Sequence, residues 1–245
     1  MRWLFHTIFY QPLYNALVWL AAVLPGQSVG LAIIVLTLVV RIALFPLQHS
    51  LSRSQHKMRE LDGQIKAIRD QHQKDKAEQA RRIMELYRQH GINPFAGFIV
   101  VLIQLPVLLA LYWVAQGSLA PDNGLLYSFV AHPASLNTLF LGFIDLTSRS
   151  YLFALLVGVS QFGQMWLVMP PLPAPAANEP SDLKAELSRS MNRQMRYVMP
   201  VMIFLIASRL PTAVSLYWLT GNLFSIAHEW YVRRRATPTK VDNSL

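Results

Sequence analysis

The apolar positions of this chain gather into long blocks separated by charged, polar stretches. The first block, Gly30 to Leu47, reads GLAIIVLTLVVRIALFPL and holds one charge, Arg41. At about 1.5 Å of helical rise per residue it reaches roughly 27 Å, close to the ~30 Å hydrocarbon layer of a bilayer. The second block, Pro94 to Gln116, is uncharged, with Gln104 and Pro106 near its middle. The third, Tyr151 to Met169, carries Ser160, Gln161 and Gln164 and ends at a helix-stopping run, Pro170, Pro171, Pro173 and Pro175. The last, Tyr197 to Val232, is too long for one crossing and is interrupted by Ser208-Arg209-Leu210-Pro211-Thr212, which reads as a tight helical hairpin. Its first arm is short, so Arg196 and Arg209 are expected to reach toward water at its ends. The pattern predicts an all-α polytopic membrane protein with transmembrane helices over 29–48, 94–116, 151–169, 197–209 and 211–232.

Two of the intervening segments have structure of their own. In residues 49–93, Met58, Leu61, Ile65 and Ile68 recur at intervals of three and four. Ala80, Ile83 and Tyr87 do the same after the polar run Asp70 to Asp75, so two amphipathic helices folded back as a hairpin are expected. A solvated charged spacer is the plainer alternative. Gly91-Ile92-Asn93-Pro94 reads as a glycine stop followed by a restart. Residues 1–28 are apolar and aromatic but broken by His6, Gln11-Pro12 and Asn15. That punctuation favours an interfacial amphipathic helix over an extra span or an uncleaved signal. Residues 117–150 form an outer loop, 170–196 a second cytoplasmic loop, and 233–245 a basic tail.

Charge fixes the orientation. Only 14% of the 245 residues are charged, where soluble domains carry about a quarter. Of the 22 Lys and Arg, ten lie in 48–93, four in 170–196 and four beyond Glu229, all on one side of a five-span layout. The positive-inside rule makes that side, and the carboxyl terminus, cytoplasmic. The net charge of +9 is therefore chiefly topological, with a secondary affinity for anionic lipid or ribosomal RNA rather than DNA. The absence of cysteine removes disulfides, thiolate metal sites and cysteine nucleophiles.

The chemically loaded residue is Arg41, about seven residues, or ~10 Å, from the cytoplasmic end of its span. An arginine at a helix centre costs roughly 2.5 to 3.5 kcal/mol on insertion scales. It either snorkels to the near interface or lies in a hydrated concavity. No acidic residue lies well within any expected span, so a buried Arg41 would depend on water and on polar residues such as Thr37, Gln104, Gln161, Gln164, Ser215 and Asn222. A positively charged cavity of that kind suits a transient guest with polar or acidic groups. Trp218 lies about seven residues, or ~10 Å, inside the last span, deeper than the usual aromatic belt, and either lines that cavity or packs between helices. Enzyme chemistry is not expected: there is no phosphate loop, no Gly-x-Ser-x-Gly, no membrane carboxylate pair and no ligand spacing among the seven histidines. Neither a metal nor a cofactor is expected.

Several motifs in order resemble the YidC family of membrane protein insertases, relatives of the mitochondrial Oxa and chloroplast Albino proteins. They are Val39-Val-Arg-Ile-Ala-Leu-Phe-Pro46, Met84-Glu-Leu-Tyr-Arg-Gln-His-Gly-Ile-Asn-Pro94, Gln104-Leu-Pro-Val107 with Leu111-Tyr112-Trp113, Phe143-Ile-Asp-Leu146, and Leu216-Tyr-Trp218 followed by Asn222. The resemblance runs from about Tyr10 to Arg235. It implies a five-helix core around a hydrophilic groove, open to cytoplasm and lipid, with a cytoplasmic helical hairpin and an outer interfacial helix. Arg41 matches the groove arginine, Gln164 the third-span glutamine, and Trp218 and Asn222 last-span positions near the groove; Gln104 and Gln161 join them on polarity.

The expected activity is insertion of nascent membrane proteins into the bilayer of the bacterial inner membrane, with the ribosome and the Sec translocon as partners. Two departures are expected to weaken those partnerships. The core begins almost at Met1, without the large outer domain of many Gram-negative members, and the tail after Arg235 is only ten residues. The alternative function is a small-solute transporter or channel, which would show flux of a defined solute; a passive assembly scaffold would be indifferent to groove polarity.

Overall fold

The computed structural model describes residues 6–73, 75–93, 96–113, 126–130, 136–168 and 194–235. Among them the chain is almost wholly helical, as its sequence predicts. The helices are α1 Gln11–Val23, α2 Val29–Ala43, α3 Phe45–Glu60, α4 Asp62–Gln71, α5 Lys76–Gln89, α6 Ala96–Trp113, α7 Tyr151–Val168, α8 Met199–Ala207 and α9 Thr212–Arg235. An antiparallel pair of two-residue strands, β1 Leu139–Phe140 and β2 Ile144–Asp145, and an isolated bridge between Ser28 and Asn137 lie among the connecting turns. The chain divides into two compact units, Met1–Arg41 with Val107–Leu245, and Ile42–Pro106.

In the first unit, α1 contributes Tyr14, Leu17, Val18 and Ala21 to a core completed by Ala32, Ile33 and Leu36 of α2, Ala110 and Leu111 of α6, and Leu216 and Tyr217 of α9. The polar residues that punctuate α1 are accommodated locally. Pro12 occupies the first turn, where no backbone donor is needed. Asn15 is buried, donating to the Gln11 carbonyl at 2.8 Å and accepting from the Tyr127 amide at 2.7 Å. The opposite face leaves Trp19 and Val23 exposed.

The strand pair prepares the start of α9. The Asp145 carboxylate accepts from the Thr147 amide and hydroxyl at 2.9 and 2.8 Å, turning the chain so that its carbonyls face α9. Ser148 O then accepts from the Thr212 amide and hydroxyl, both at 2.8 Å, and Leu146 O from the Ala213 amide at 2.9 Å. Donors that a helix start leaves unpaired are thereby satisfied. Close approach near β1 explains Gly30 of α2, because a Cβ there would overlap the Phe140 ring. Farther along, α7 packs on α8 and α9 through Ala154, Val157 and Ala207, with Phe204 and Trp218 against them.

The apolar block 30–47, expected as one helix, is broken. Helix α2 ends at Ala43, Leu44 is a turn, and α3 begins at Phe45. Pro46 supplies the reason, since proline lacks the donor a continuing helix needs but is tolerated in a first turn. Among the described residues, no helix is both long and apolar enough to cross a membrane. Helices α2 and α8 are short, at 15 and 9 residues. Helix α9 has 24 residues but carries Ser215, Thr220, Asn222, Ser225, His228 and Glu229.

In the second unit, α4 and α5 fold back on each other as a hairpin. Leu61, Ile65, Leu86 and Ile92 form its core, with Met58, Ile68, Ile83 and Tyr87 packed against it. The stripe on α5 is centred on Leu86, while Ala80, expected to lie on it, is exposed. Without glycine or proline, the turn is set by Asp75, whose carboxylate accepts from the Ala77 and Glu78 amides at 3.0 Å each. Gln79 Nε2 donates to Arg69 O at 3.0 Å near the turn, and Lys57 Nζ to His90 O at 3.1 Å at the other end. On the solvated face Glu78 accepts from Arg81 and Arg82, and those hydrogen bonds hold its carboxyl well below the usual range, at about 2.

Candidate functional site

Arg41 lies in the last turn of α2, half-buried against α9. Its guanidinium lies over Gly221: a Cβ built there would sit 2.5 Å from Nη2 and 3.2 Å from both Cζ and Nε. Tyr217, buried one turn earlier on α9, is within electrostatic reach of the guanidinium. Among the described residues no carboxylate pairs with Arg41; the ion pairs found there join Glu78 to Arg81 and Arg82, and Glu85 to Arg88, on α5. Thr37, one turn before Arg41, is buried and donates its hydroxyl to Ile33 O at 2.6 Å, leaving its own helix satisfied. The Ser215 hydroxyl is buried with no hydrogen-bond partner.

The next residue of α9 faces another neighbour. Asn222 Nδ2 donates to Ser160 Oγ of α7 at 3.0 Å, and Ser160 Oγ donates to Val157 O at 2.9 Å, all of it buried. Gly221 and Asn222 are about 100° apart around the helix, so one turn of α9 both seats Arg41 and fastens α7. Gln164 follows Ser160 by four residues and shares its side of α7, whereas Gln161 is rotated away by about 100°. Both are half-buried. Trp218 is partly buried against Ala154, Val157 and Ala207. Five of the six residues expected to line a groove therefore belong to the first unit, and Gln104 to the second.

The hairpin residues Met58, Leu61, Ile65 and Ile68 serve the packing of α4 on α5. Arg196 corrects an expectation. Instead of reaching water it is 3% exposed, its guanidinium carbon 3.7 Å from the centroid of the Trp166 ring, with Nε and Nη2 unpaired. Stacking on an aromatic face offsets part of the cost of burial. Gly221, Ser160 and Tyr217 are the contributors that the sequence left unassigned. The available signal was Gly221 itself, because a glycine inside a helix costs about 1 kcal/mol relative to alanine and usually has a packing reason.

The family model described as "60Kd inner membrane protein" matches residues 19–240. The chain belongs to that family. Within the 60Kd inner membrane protein family, a relative named membrane protein insertase YidC from Nitrosococcus oceani is 32% identical over 231 residues, covering 94% of this chain and 37% of the relative. The protein of the same name from Fusobacterium nucleatum is 28% identical over 207 residues, covering 84% of this chain and 86% of the relative. A solved structure titled "Active YidC insertase crystal structure with the first transmembrane domain resolved" superposes with a TM-score of 0.58 at 26% identity, covering 93% of this chain and 46% of that one. The chain thus spans little more than a third of the Nitrosococcus relative and most of the Fusobacterium one.

Proposed function

We propose that this protein inserts nascent membrane proteins into the bacterial inner membrane and assists their folding there, without enzymatic chemistry and without a cofactor. The observation that carries the reading is Arg41. A guanidinium half-buried between helices, with no carboxylate paired to it among the described residues, is an expensive feature of a membrane-embedded fold, and such residues mark substrate paths. Family membership and the names of the relatives supply the class of activity.

In this reading α2, α6, α7, α8 and α9 are the five spans, and the basic segments between them face the cytoplasm with the carboxyl terminus. The shortness of α2 and α8 suits a bilayer that thins locally around a wet groove lined by Arg41, Gln161, Gln164, Trp218 and Asn222. A client segment arrives from the ribosome or the Sec translocon by way of the hairpin. Its short polar tail enters the groove, where water and Arg41 lower the desolvation penalty, and acidic groups in the tail are attracted without a permanent pair. The apolar segment then leaves along α7 and α9 into lipid.

The test is reconstitution of the purified chain into liposomes, scoring protease-protected insertion of a short single-span client. Insertion well above empty liposomes is expected. A folded protein that gives no insertion above lipid alone across several clients contradicts the reading, and flux of a small solute in its place would indicate a transporter.

A further inference from the structure

Gly221 leaves a notch in α9 that the Arg41 side chain fills. Three guanidinium atoms, Nη2, Cζ and Nε, would lie 2.5, 3.2 and 3.2 Å from any Cβ at this position. Real Cβ contacts under 3.0 Å are essentially unknown, so even alanine would force a shift. The neighbourhood gives helix α9 little room to move. Gly221 is itself buried, and Asn222, the following residue, is tied to Ser160 of α7 at 3.0 Å. Helix α9 begins at carbonyls of residues 146 and 148 that accept from Thr212 and Ala213. A helix anchored at its start and next to the notch does not rotate to relieve a clash; the guanidinium must move instead.

We propose that Gly221 is a positioning residue for the client-contacting charge: the missing Cβ lets the Arg41 guanidinium lie against the α9 backbone and fixes the direction in which its remaining N–H groups face. An arginine fork is useful only when its donors are held toward the incoming group, because carboxylate recognition is planar and directional. Pressed against Gly221, the half-buried guanidinium has one flank covered by the α9 backbone. Lysine at position 41 would carry the same charge without the planar head that fills the notch. This rests on the reading of Arg41 as the charge that meets clients.

The test is a set of full-length variants reconstituted in liposomes: Gly221→Ala in the wild-type, Arg41→Lys and Arg41→Ala backgrounds, each measured with a client whose tail is acidic and with its neutral counterpart. Gly221→Ala is expected to slow insertion of the acidic-tailed client by about tenfold, the scale of a displaced positioning group, with little effect on the neutral one. In the Arg41→Lys background the loss should shrink, and in the Arg41→Ala background it should vanish, which is the coupling that a double-mutant cycle isolates. Alanine is the better helix former, which offsets part of the cost of the clash, so the variant should remain folded. Equal losses in all three backgrounds, or no loss in any, overturn the proposal. Should the wild type insert neither client, the proposed function fails separately. The seat is then read from the Arg41 Nε–H resonance of isotopically labelled protein in lipid nanodiscs: a shift on Gly221→Ala supports it, and an unchanged resonance overturns it.

Discussion

The hairpin of α4 and α5 and the junction of α2, α7 and α9 treat polar groups in opposite ways. On the hairpin Glu78 and Glu85 of α5 form ion pairs with exposed arginines, and Glu78 serves two of them at once. Such pairs on a solvated surface add little to stability. The apolar residues there do the holding, in a core of four buried side chains. At the helical junction the polar groups are few and buried, and apart from the Ser215 hydroxyl those described are bonded to backbone or to each other, as in the link from Asn222 to Ser160 to Val157. Among the described residues Arg41 brings a full charge against α9 without a carboxylate to meet it, and Arg196, buried against α7, is met by the Trp166 ring. A structural charge is placed where water or a counter-ion makes it cheap, so one placed against that rule points to function.

The contrast can be sharpened by substitution. Leu86→Ala, in the small hairpin core, should destabilise the hairpin by about 2 to 5 kcal/mol, the range for large-to-small core changes. Hydrogen exchange of the full-length protein in detergent would show α4 and α5 amides opening while those of α9 stay protected; unaltered protection in α4 and α5 would deny that this core holds the hairpin. Ser160→Ala removes the acceptor from Asn222 and leaves a buried amide unpaired, with an expected loss of about 1 to 3 kcal/mol in thermal unfolding. Restoring stability with the apolar pair Ser160→Ala and Asn222→Leu would show that the bond is replaceable by packing, whereas loss of insertion in that variant would tie it to function. Asp75→Ala should cost about 1 kcal/mol through the lost cap, read as increased exchange in the first turn of α5.

The smallest effect is that of Glu78. Its carboxyl titrates at about 2 when folded, below its ordinary 4.5, because Arg81 and Arg82 hydrogen-bond to the charged form. A depressed carboxylate contributes stability that is complete above its unfolded value and fades as pH falls through the folded one, so the hairpin should be indifferent to pH above about 5 and weaken only in strong acid. A carboxyl-carbon NMR titration of Glu78 should show a midpoint near 2, returning toward 4.5 in the Arg81→Gln, Arg82→Gln variant. A wild-type midpoint near 4.5 would contradict the pairing.

Much of this arrangement was legible in the residues. Helical periodicity marked the hairpin because its stripes of Leu61, just before α4, with Ile65 and Ile68 on α4, and of Ile83 and Tyr87 on α5, repeat at the helical period against a charged background. Its turn was harder to place, since an aspartate cap acts by one side-chain bond and has no periodic signature. The charge on Arg41 stood out because nothing else within its apolar block is ionised. What seats it was hidden, because the absence of a Cβ at Gly221 matters only once the Arg41 side chain reaches α9. The same holds for Ser160, a commonplace hydroxyl until Asn222 is placed opposite it. Arg196 was misread for a related reason: its stacking partner, Trp166, is 30 residues away in sequence, and a local reading sends a terminal arginine toward water.

We propose above that Arg41 acts on the polar tail of a client. The most direct test is the insertion rate of a single-span client in liposomes as the number of acidic residues in its outer tail is increased from none, for wild type, Arg41→Lys and Arg41→Ala. Wild type is expected to favour acidic tails over the neutral tail by about tenfold, or ~1.4 kcal/mol of transition-state stabilisation; Arg41→Lys should keep part of this preference, and Arg41→Ala should lose it while remaining folded. An Arg41→Ala protein that discriminates among the tails as the wild type does would contradict that role.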